Sequence, residues 1–455
     1  MSTLIYILII TNGLIVLFFL QLVIYGIISY YYHWRGRKNV VYPQKDLPYI
    51  TLVVPARSES RVIGATINHL MELNYPRDRY EILIVLDDKE LVDRPLEETT
   101  HRMVELKQRF FNQLYQRPII RSVSVPLNFN GDYPGRLLKN KVASSKPRAL
   151  NWALRFIPAN CDVVGFYDAD SRPDKDVLRY ISYYWKNGRP ETFLFQGAVI
   201  QTRNFSEIEL FNKLYALAQA ITHEWFLPVL LRHLPFIGGT NFFISRRLLT
   251  ESGGFNNRVV SEDLEFGCRL YLEKNIWPQF LPCVSTEQTP PDYRAYFIQR
   301  ARWATGYVQV MEDMLQRQDN LFKRFYLFIM LVFYGILPWA VTQIVAGLTI
   351  GILLVSLLGL AHISSFLPQV LKQISLVMNV SYLLFTLYYF EYAKRKLYIP
   401  LKVVDWPQKI FNYLAICSLP LAALLGTTPY TYGFILGLFS NSCPHWVKTP
   451  RTREN

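Results

Sequence analysis

The 455-residue sequence predicts an α/β domain, a mainly parallel sheet with flanking helices, joined to α-helical transmembrane segments. Two patterns carry that reading. Short apolar runs alternate with segments of helical spacing through the middle of the chain, and nearly uncharged apolar blocks bracket that middle on both sides. A third observation ties the fold to chemistry. Several apolar runs stop at acidic residues, and open parallel sheets bind ligands at the carboxyl ends of their strands.

Taken in order, residues 4–32 contain LIYILII and GLIVLFFLQLVIYGII, long enough for a helix that needs about 20 apolar residues to cross a bilayer. This block lacks a basic start and a small-residue cleavage site, so it reads as a retained anchor rather than a signal peptide. ITLVVP at 50–55 is a buried strand, and helical spacing over 62–73 is broken by Asn74-Tyr75-Pro76. YEILIVL at 80–86 is a second strand, ending at Asp87-Asp88. A charged helical stretch leads to a third strand at 118–126, and 128–146 lacks periodicity, as a flexible loop does. Residues 149–156 are helical, and DVVGFY at 162–167 is a fourth strand ending at Asp168-Ala169-Asp170.

The second apolar block fills most of 325–440. Residues 325–360 suggest an interfacial helix entering a transmembrane one, or two closely packed spans; a further span covers 370–392. Residues 411–440 hold at least one more, with Gly426-Thr427-Thr428-Pro429 as its expected turn, for four or five spans in total. The expected organisation is a transmembrane helix (1–34), a cytosolic catalytic domain with interfacial helices (43–320), a transmembrane region (321–440) and a basic cytosolic tail (441–455).

The 51% hydrophobic content is high for a soluble enzyme, and the net charge of +14 does not point to nucleic acid. Its bases cluster beside the apolar blocks, at His33 to Lys38, at Lys394-Arg395-Lys396 and at 448–453. Such flanking bases mark the cytoplasmic side of an integral membrane protein. Five cysteines without pairing or metal-ligand spacing read as reduced thiols.

Four segments carry chemistry. In extended backbone the carboxylates of Asp168 and Asp170 face one way. Hard oxygen ligands suit Mg²⁺ or Mn²⁺, which would hold a substrate diphosphate as a Lewis acid. An isolated Asp-x-Asp is more often a solvated turn; the strand end raises its standing. Asp87-Asp88 fits either an Asx-turn or recognition of a base N–H. Ser261-Glu262-Asp263-Leu264-Glu265 fits a helix cap with dipole-stabilising acids, yet a general base could occupy the same turn. In Gln299-Arg300-Ala301-Arg302-Trp303, residues 299, 302 and 303 share one helical face. Arg302 can grip a diphosphate and Trp303 can stack on a sugar, although an amphipathic membrane-surface helix would have similar composition.

Eight motifs in order resemble the family 2 glycosyltransferases of the cellulose, hyaluronan, chitin and mannan synthase kind. They are PARSES (55–60), VLDD (85–88), KPRALN (146–151), DAD (168–170), QTRN (201–204), GGTNFF (238–243), SED (261–263) and QRARW (299–303), and WVKTPR (446–451) resembles the tail of bacterial members. The resemblance implies a glycosyltransferase-A fold and inversion at the anomeric carbon. It places Glu59, Asp87 or Asp88, and Lys146 at the nucleoside or diphosphate, with Asp168 at the diphosphate and Asp170 as principal metal ligand. Asp263 would be the general base, Gln299, Arg302 and Trp303 would hold diphosphate and acceptor, and Asn241 and Phe242 would line the acceptor site. Ser261 stands where Thr is common. The implied partners are a nucleotide-sugar (UDP-linked by default, GDP-mannose if the product is mannan), a glycan or lipid acceptor, and the bilayer. QRARW is typical of processive members and favours a polysaccharide synthase over a synthase that moves one sugar onto a lipid. A transporter with a nucleotide-binding domain fits poorly, because the spans lack acidic residues of the proton-relay type.

Overall fold

A computed structural model of the chain describes residues 2–35, 37, 40–93, 95–358, 369–400, 419–439 and 449–454. Eight strands form one sheet: β1 (Ile50–Pro55), β2 (Tyr80–Asp87), β3 (Ile120–Val125), β4 (Val163–Phe166), β5 (Arg172–Pro173), β6 (Leu194–Ile200), β7 (Phe242–Ser245) and β8 (Gln279–Thr286). Their spatial order is β3-β2-β1-β4-β7-β6-β8-β5. The near-continuous apolar runs have a simple cause: both sheet faces are covered. Leu52 and Val54 of β1 enter one core with Ile82 and Ile84, while Val53 enters the other with Leu83 and Phe166.

The sheet is mixed, with four parallel pairings and three antiparallel ones. β1, β2, β3 and β4 pair in parallel, as do β6 and β8, but β7 runs antiparallel to both β4 and β6, and β5 antiparallel to β8. The chain leaves the carboxyl end of β6 and returns to that same end to begin β7, as in a long hairpin, so β7 must reverse.

Among the described residues the α-helices of eight residues or more are, in order, α1 (Ser2–Ser29), α2 (Ile63–Leu70), α3 (Thr100–Leu114), α4 (Lys146–Ala153), α5 (Val177–Asn187), α6 (Leu210–Ile221), α7 (Glu262–Lys274), α8 (Tyr293–Gln316), α9 (Leu321–Leu331), α10 (Leu337–Leu357), α11 (Gln369–Arg395) and α12 (Leu419–Phe439). Local chemistry sets several starts: Thr99, Ser145, Asp292 and Asn320 each accept a first-turn backbone N–H at the entries of α3, α4, α8 and α9. The start of the 128–146 loop is held by the fold, while residues 136–141 are exposed. Phe129 is fully buried beside Trp152, and the Asn151 amide donates to Gly131 O at 2.7 Å.

Residues 321–357 follow one helical path, α9 passing through a π-helical turn (Val332–Ile336) into α10. Among the described residues, Leu321–Ile344 is long and apolar enough to cross a membrane. Gly426 to Pro429 is not a turn, because α12 runs straight through it. Pro429 cannot bond the carbonyl four residues back, and the Tyr293 hydroxyl donates to that Leu425 oxygen instead, at 2.9 Å. Lys38, residues 401–418, Cys443 and residues 446–448, all noted in the sequence, lie outside the described residues, while Cys161, Cys268 and Cys283 are buried free thiols.

Two contacts tie the C-terminal helices to earlier helical segments. The Glu224 carboxylate accepts from the hydroxyls of Tyr389 (2.7 Å) and Tyr392 (2.8 Å) on α11. α12 lies backbone-close on α8: a Cβ at Gly433 would stand 2.0 Å from the Ala301 carbonyl oxygen, and Thr305 Oγ1 donates to Gly433 O at 2.9 Å. Backbone cannot give way as a side-chain end can. Gly433→Ala is therefore expected to destabilise the protein by about 1–3 kcal/mol. Gly347→Ala on α10, whose nearest neighbour is 3.9 Å away, serves as the neutral comparison in thermal unfolding.

Candidate active site

The strand directions decide where side chains can meet. β1, β2, β4, β6 and β8 all end on one side of the sheet, and reversed β7 begins there. Glu59, Asp87, Asp168, Gln201, Gly238, Thr240 and Glu287 follow or precede those ends and line one cavity of about 410 Å³. The helices α4, α7 and α8 close it with Lys146, Asp263, Gln299, Arg302 and Trp303.

At the floor, Asp168, Asp170 and Glu287 bring ligand oxygens within 4.8 Å of one another. Glu287 is fixed by the hydroxyls of Ser171 (2.6 Å) and Thr240 (2.8 Å), which also accept from the Asp168 backbone N–H. Burial, together with the charges of Asp170 and Asp168, pushes the Glu287 carboxyl up to about 8. Asp170 Oδ2 accepts from Gln288 N at 2.9 Å. The buried Asp170 Oδ1 accepts no aligned hydrogen bond, although the Arg451 guanidinium stands 2.9 Å away. Three hard oxygen donors, one lacking a hydrogen bond, suit a divalent cation of the Mg²⁺ or Mn²⁺ type.

Above them, Lys146 pairs with Asp168 and donates to Gly239 O at 2.9 Å. Burial disfavours its charge, but Asp168 and Glu262 outweigh that and hold the ammonium above the ordinary lysine range. Gly239 has φ +71°, and a Cβ there would meet Asp263 Oδ2 at 2.5 Å, so the close approach of Lys146 and Asp263 needs a glycine. Asp263 lies in the first turn of α7 and its Oδ1 accepts from Leu264 N at 2.8 Å. Burial raises its pKa and the Lys146 charge opposes the rise. Neighbouring Glu262 is pushed up to about 8 by burial and by Asp263. Ser261 makes no capping hydrogen bond with its side chain, so the acidic first turn is not explained as a serine cap.

On α8, the Arg300 guanidinium lies 4.0 Å over the Trp303 ring, holding the indole at the cavity wall. From Trp303 the lining continues to Tyr307, Ile336 and Trp339, and to Tyr430 and Phe434 of α12. The π-helical turn places Gly335 and Ile336 at this wall.

Eight of the expected residues line the cavity: Glu59, Asp87, Lys146, Asp168, Asp263, Gln299, Arg302 and Trp303. Asp170 lies beneath it, fully buried. Of the Asp87-Asp88 pair, Asp87 faces inward and pairs with Arg148 at 3.3 Å, while Asp88 points to His101. Asn241 and Phe242, expected at the acceptor site, do not line the cavity. The Asn241 amide donates to the carbonyls of Ala198 and Cys283 at 3.0 Å, and Phe242 stacks on Phe166 with centroids 4.5 Å apart. Sequence reasoning missed Glu287 and Arg451. Glu287 follows the apolar run QFLPCVST, and the strand-end rule that found Asp168 applies to it equally. Arg451 carried a signal only as part of WVKTPR.

The family model described as "Glycosyl transferase family group 2" matches residues 163–390. The chain belongs to this family. As a family 2 glycosyltransferase it is similar to "Probable glycosyltransferase YdaM" of Bacillus subtilis, 27% identical over 67% of this chain and 66% of the relative. It is also similar to the "Beta-monoglucosyldiacylglycerol synthase" of Trichormus variabilis, 24% identical over 65% of this chain and 58% of that protein. A third relative is "Glucomannan 4-beta-mannosyltransferase 7" of Arabidopsis thaliana, 24% identical over 69% of this chain and 55% of the relative. The chain thus spans between half and two thirds of these relatives' lengths. Among solved structures, the "Mannosyltransferase PcManGT from Pyrobaculum calidifontis in complex with GDP-Man and Mn2+" aligns over 95% of this chain and 100% of its own, at 15% identity and a TM-score of 0.49.

Proposed function

We propose that this glycosyltransferase moves a sugar from a nucleotide-sugar to a growing β-linked glycan, with inversion, at a cytosolic site set against membrane-spanning helices α1, α9–α10, α11 and α12. The supporting observation is the continuity of the cavity: it runs from Asp168 and Asp263 past Trp303 to Trp339 and Tyr430, so aromatic faces follow directly on the reacting groups. Such faces suit sugar rings, and a glycan leaving between helices stays out of lipid.

In this reading Asp263 takes the proton from the acceptor hydroxyl as its oxygen bonds to the anomeric carbon. The bond from that carbon to the diphosphate oxygen breaks on the opposite face, and its electron pair leaves with the nucleoside diphosphate. Lys146 and Arg302 offset the charge that develops there. Asp87, backed by Arg148, faces the nucleoside end, and Glu59 lines the same cavity. Asp168, Asp170 and Glu287 would hold a divalent cation, whose chemistry is neutralisation of the departing diphosphate.

A second reading, transfer of one sugar onto a lipid, draws on the similarity to a glucosyldiacylglycerol synthase and on the apolar side chains of Leu264, Ile336 and Phe434 in the same wall. Product size separates the two. Purified protein in lipid nanodiscs, given a panel of radiolabelled UDP- and GDP-sugars, is expected to build a ladder of lengthening glycan. Label confined to a lipid bearing one sugar would overturn the polymer reading in favour of the second.

A further inference from the structure

We propose that the C-terminal segment 449–454 is a strap across the cation site, whose Arg451 supplies the counter-charge to the carboxylates until a divalent cation displaces it. The inference rests on reading Asp168, Asp170 and Glu287 as cation ligands, and goes beyond that reading in making the chain's own tail their competitor.

The strap is built rather than draped. The Gln288 side chain grips the backbone of Thr452 from both sides, its Oε1 accepting from Thr452 N at 2.9 Å and its Nε2 donating to Thr452 O at 3.0 Å. Glu454 pairs with Arg172 and Arg203, and its backbone N–H donates to Arg61 O at 3.1 Å. At the other end Gln299 Nε2 reaches Thr449 Oγ1 at 3.4 Å. Between these anchors Arg451 is lowered onto the floor of the cavity, where Nη1 donates to Gln288 O at 3.1 Å and Nη2 stands 2.9 Å from Asp170 Oδ1.

One oxygen makes the two occupants exclusive. Asp170 Oδ2 is committed to Gln288 N, which leaves Oδ1 for a cation, and Arg451 already covers it. The Arg451–Asp170 contact is charge without an aligned hydrogen bond, so a divalent cation at Oδ1 puts two positive charges where the guanidinium puts one. A divalent ion and a guanidinium at that oxygen would also repel each other with little water between them. Gln288 links the two states, because its backbone holds the ligand and its side chain holds the strap.

By linkage, deleting the guanidinium tightens cation binding, and binding the cation loosens the strap. Full-length protein in detergent, without nucleotide, is titrated with Mn²⁺ and free ion is read by electron paramagnetic resonance. Arg451→Gln is expected to bind Mn²⁺ roughly tenfold tighter than the parent, and Asp170→Asn to lose binding. In the parent itself, Mn²⁺ is expected to accelerate tryptic cleavage after Arg451, a measurement that stands even if the glutamine variant folds poorly. Unchanged Mn²⁺ affinity in Arg451→Gln, or cleavage indifferent to Mn²⁺, would overturn the strap. Parent-like Mn²⁺ binding by Asp170→Asn would instead overturn the cation reading beneath it.

Discussion

Asp263→Asn abolishes transfer while the donor still binds: kcat is expected to fall by about a thousandfold, with the donor Kd changed by less than about threefold. The amide keeps the shape of the carboxylate and can still accept from Leu264 N, so α7 keeps its first turn. What it loses is the capacity to take a proton. Asp87, paired with Arg148, is untouched, and Lys146 keeps its pairing with Asp168 and its bond to Gly239 O. Calorimetric titration with a non-transferable donor analogue, beside a transfer assay, separates the two quantities. Full activity in the asparagine variant would remove Asp263 from the mechanism; a donor Kd weakened in step with kcat would make it a donor ligand instead.

The same residue sets a pH dependence whose sign follows from its surroundings. A base works only when deprotonated, so the rate is full above its pKa and is lost as pH falls through it. Burial raises the Asp263 pKa despite the Lys146 charge. The acid limb of kcat is therefore expected above the ordinary aspartate value of about 3.9. Burial and the Asp263 charge push the neighbouring Glu262 carboxyl up to about 8.

Much of this site was legible because strands β1, β2 and β4 are short apolar runs with clear stops. ITLVVP and DVVGFY announce buried strands, and a carboxylate after such a run must lie at the sheet's ligand-binding end. The reversal of β7 was not legible. FFIS has the same composition in either direction, and direction is set by where the preceding forty residues return. Asn241 and Phe242 misled for a related reason: a motif marks residues that matter without saying which way each one points, and in a strand neighbours face opposite sides. Pro429 misled because a proline in an apolar run normally ends a helix; only the Tyr293 hydroxyl, far away in sequence, lets α12 continue. Arg451 was hidden by distance. Nothing local to the basic tail says that it returns to the sheet floor.

Asp170→Ala is expected to act on binding before it acts on chemistry. Mutating even the outer partners of a metal site lowers metal affinity by about 10–100-fold, so removing a buried direct ligand should weaken Mn²⁺-dependent donor binding by at least about a hundredfold. The alanine also strips Gln288 N and Arg451 of their shared acceptor, which loosens both the cation floor and the strap. Asp170→Asn separates these effects, since its amide oxygen still accepts from Gln288 N while the formal charge is gone. If the cation is what joins donor to protein, both variants bind donor as weakly in Mn²⁺ as the parent does in excess chelator, and chelator weakens them no further. A parent-like donor Kd in Asp170→Ala, with chelator still effective, would move the cation away from this triad. Asp168, Asp170 and Glu287 would then hold ligand oxygens within 4.8 Å of one another with only the Lys146 and Arg451 charges to offset their repulsion.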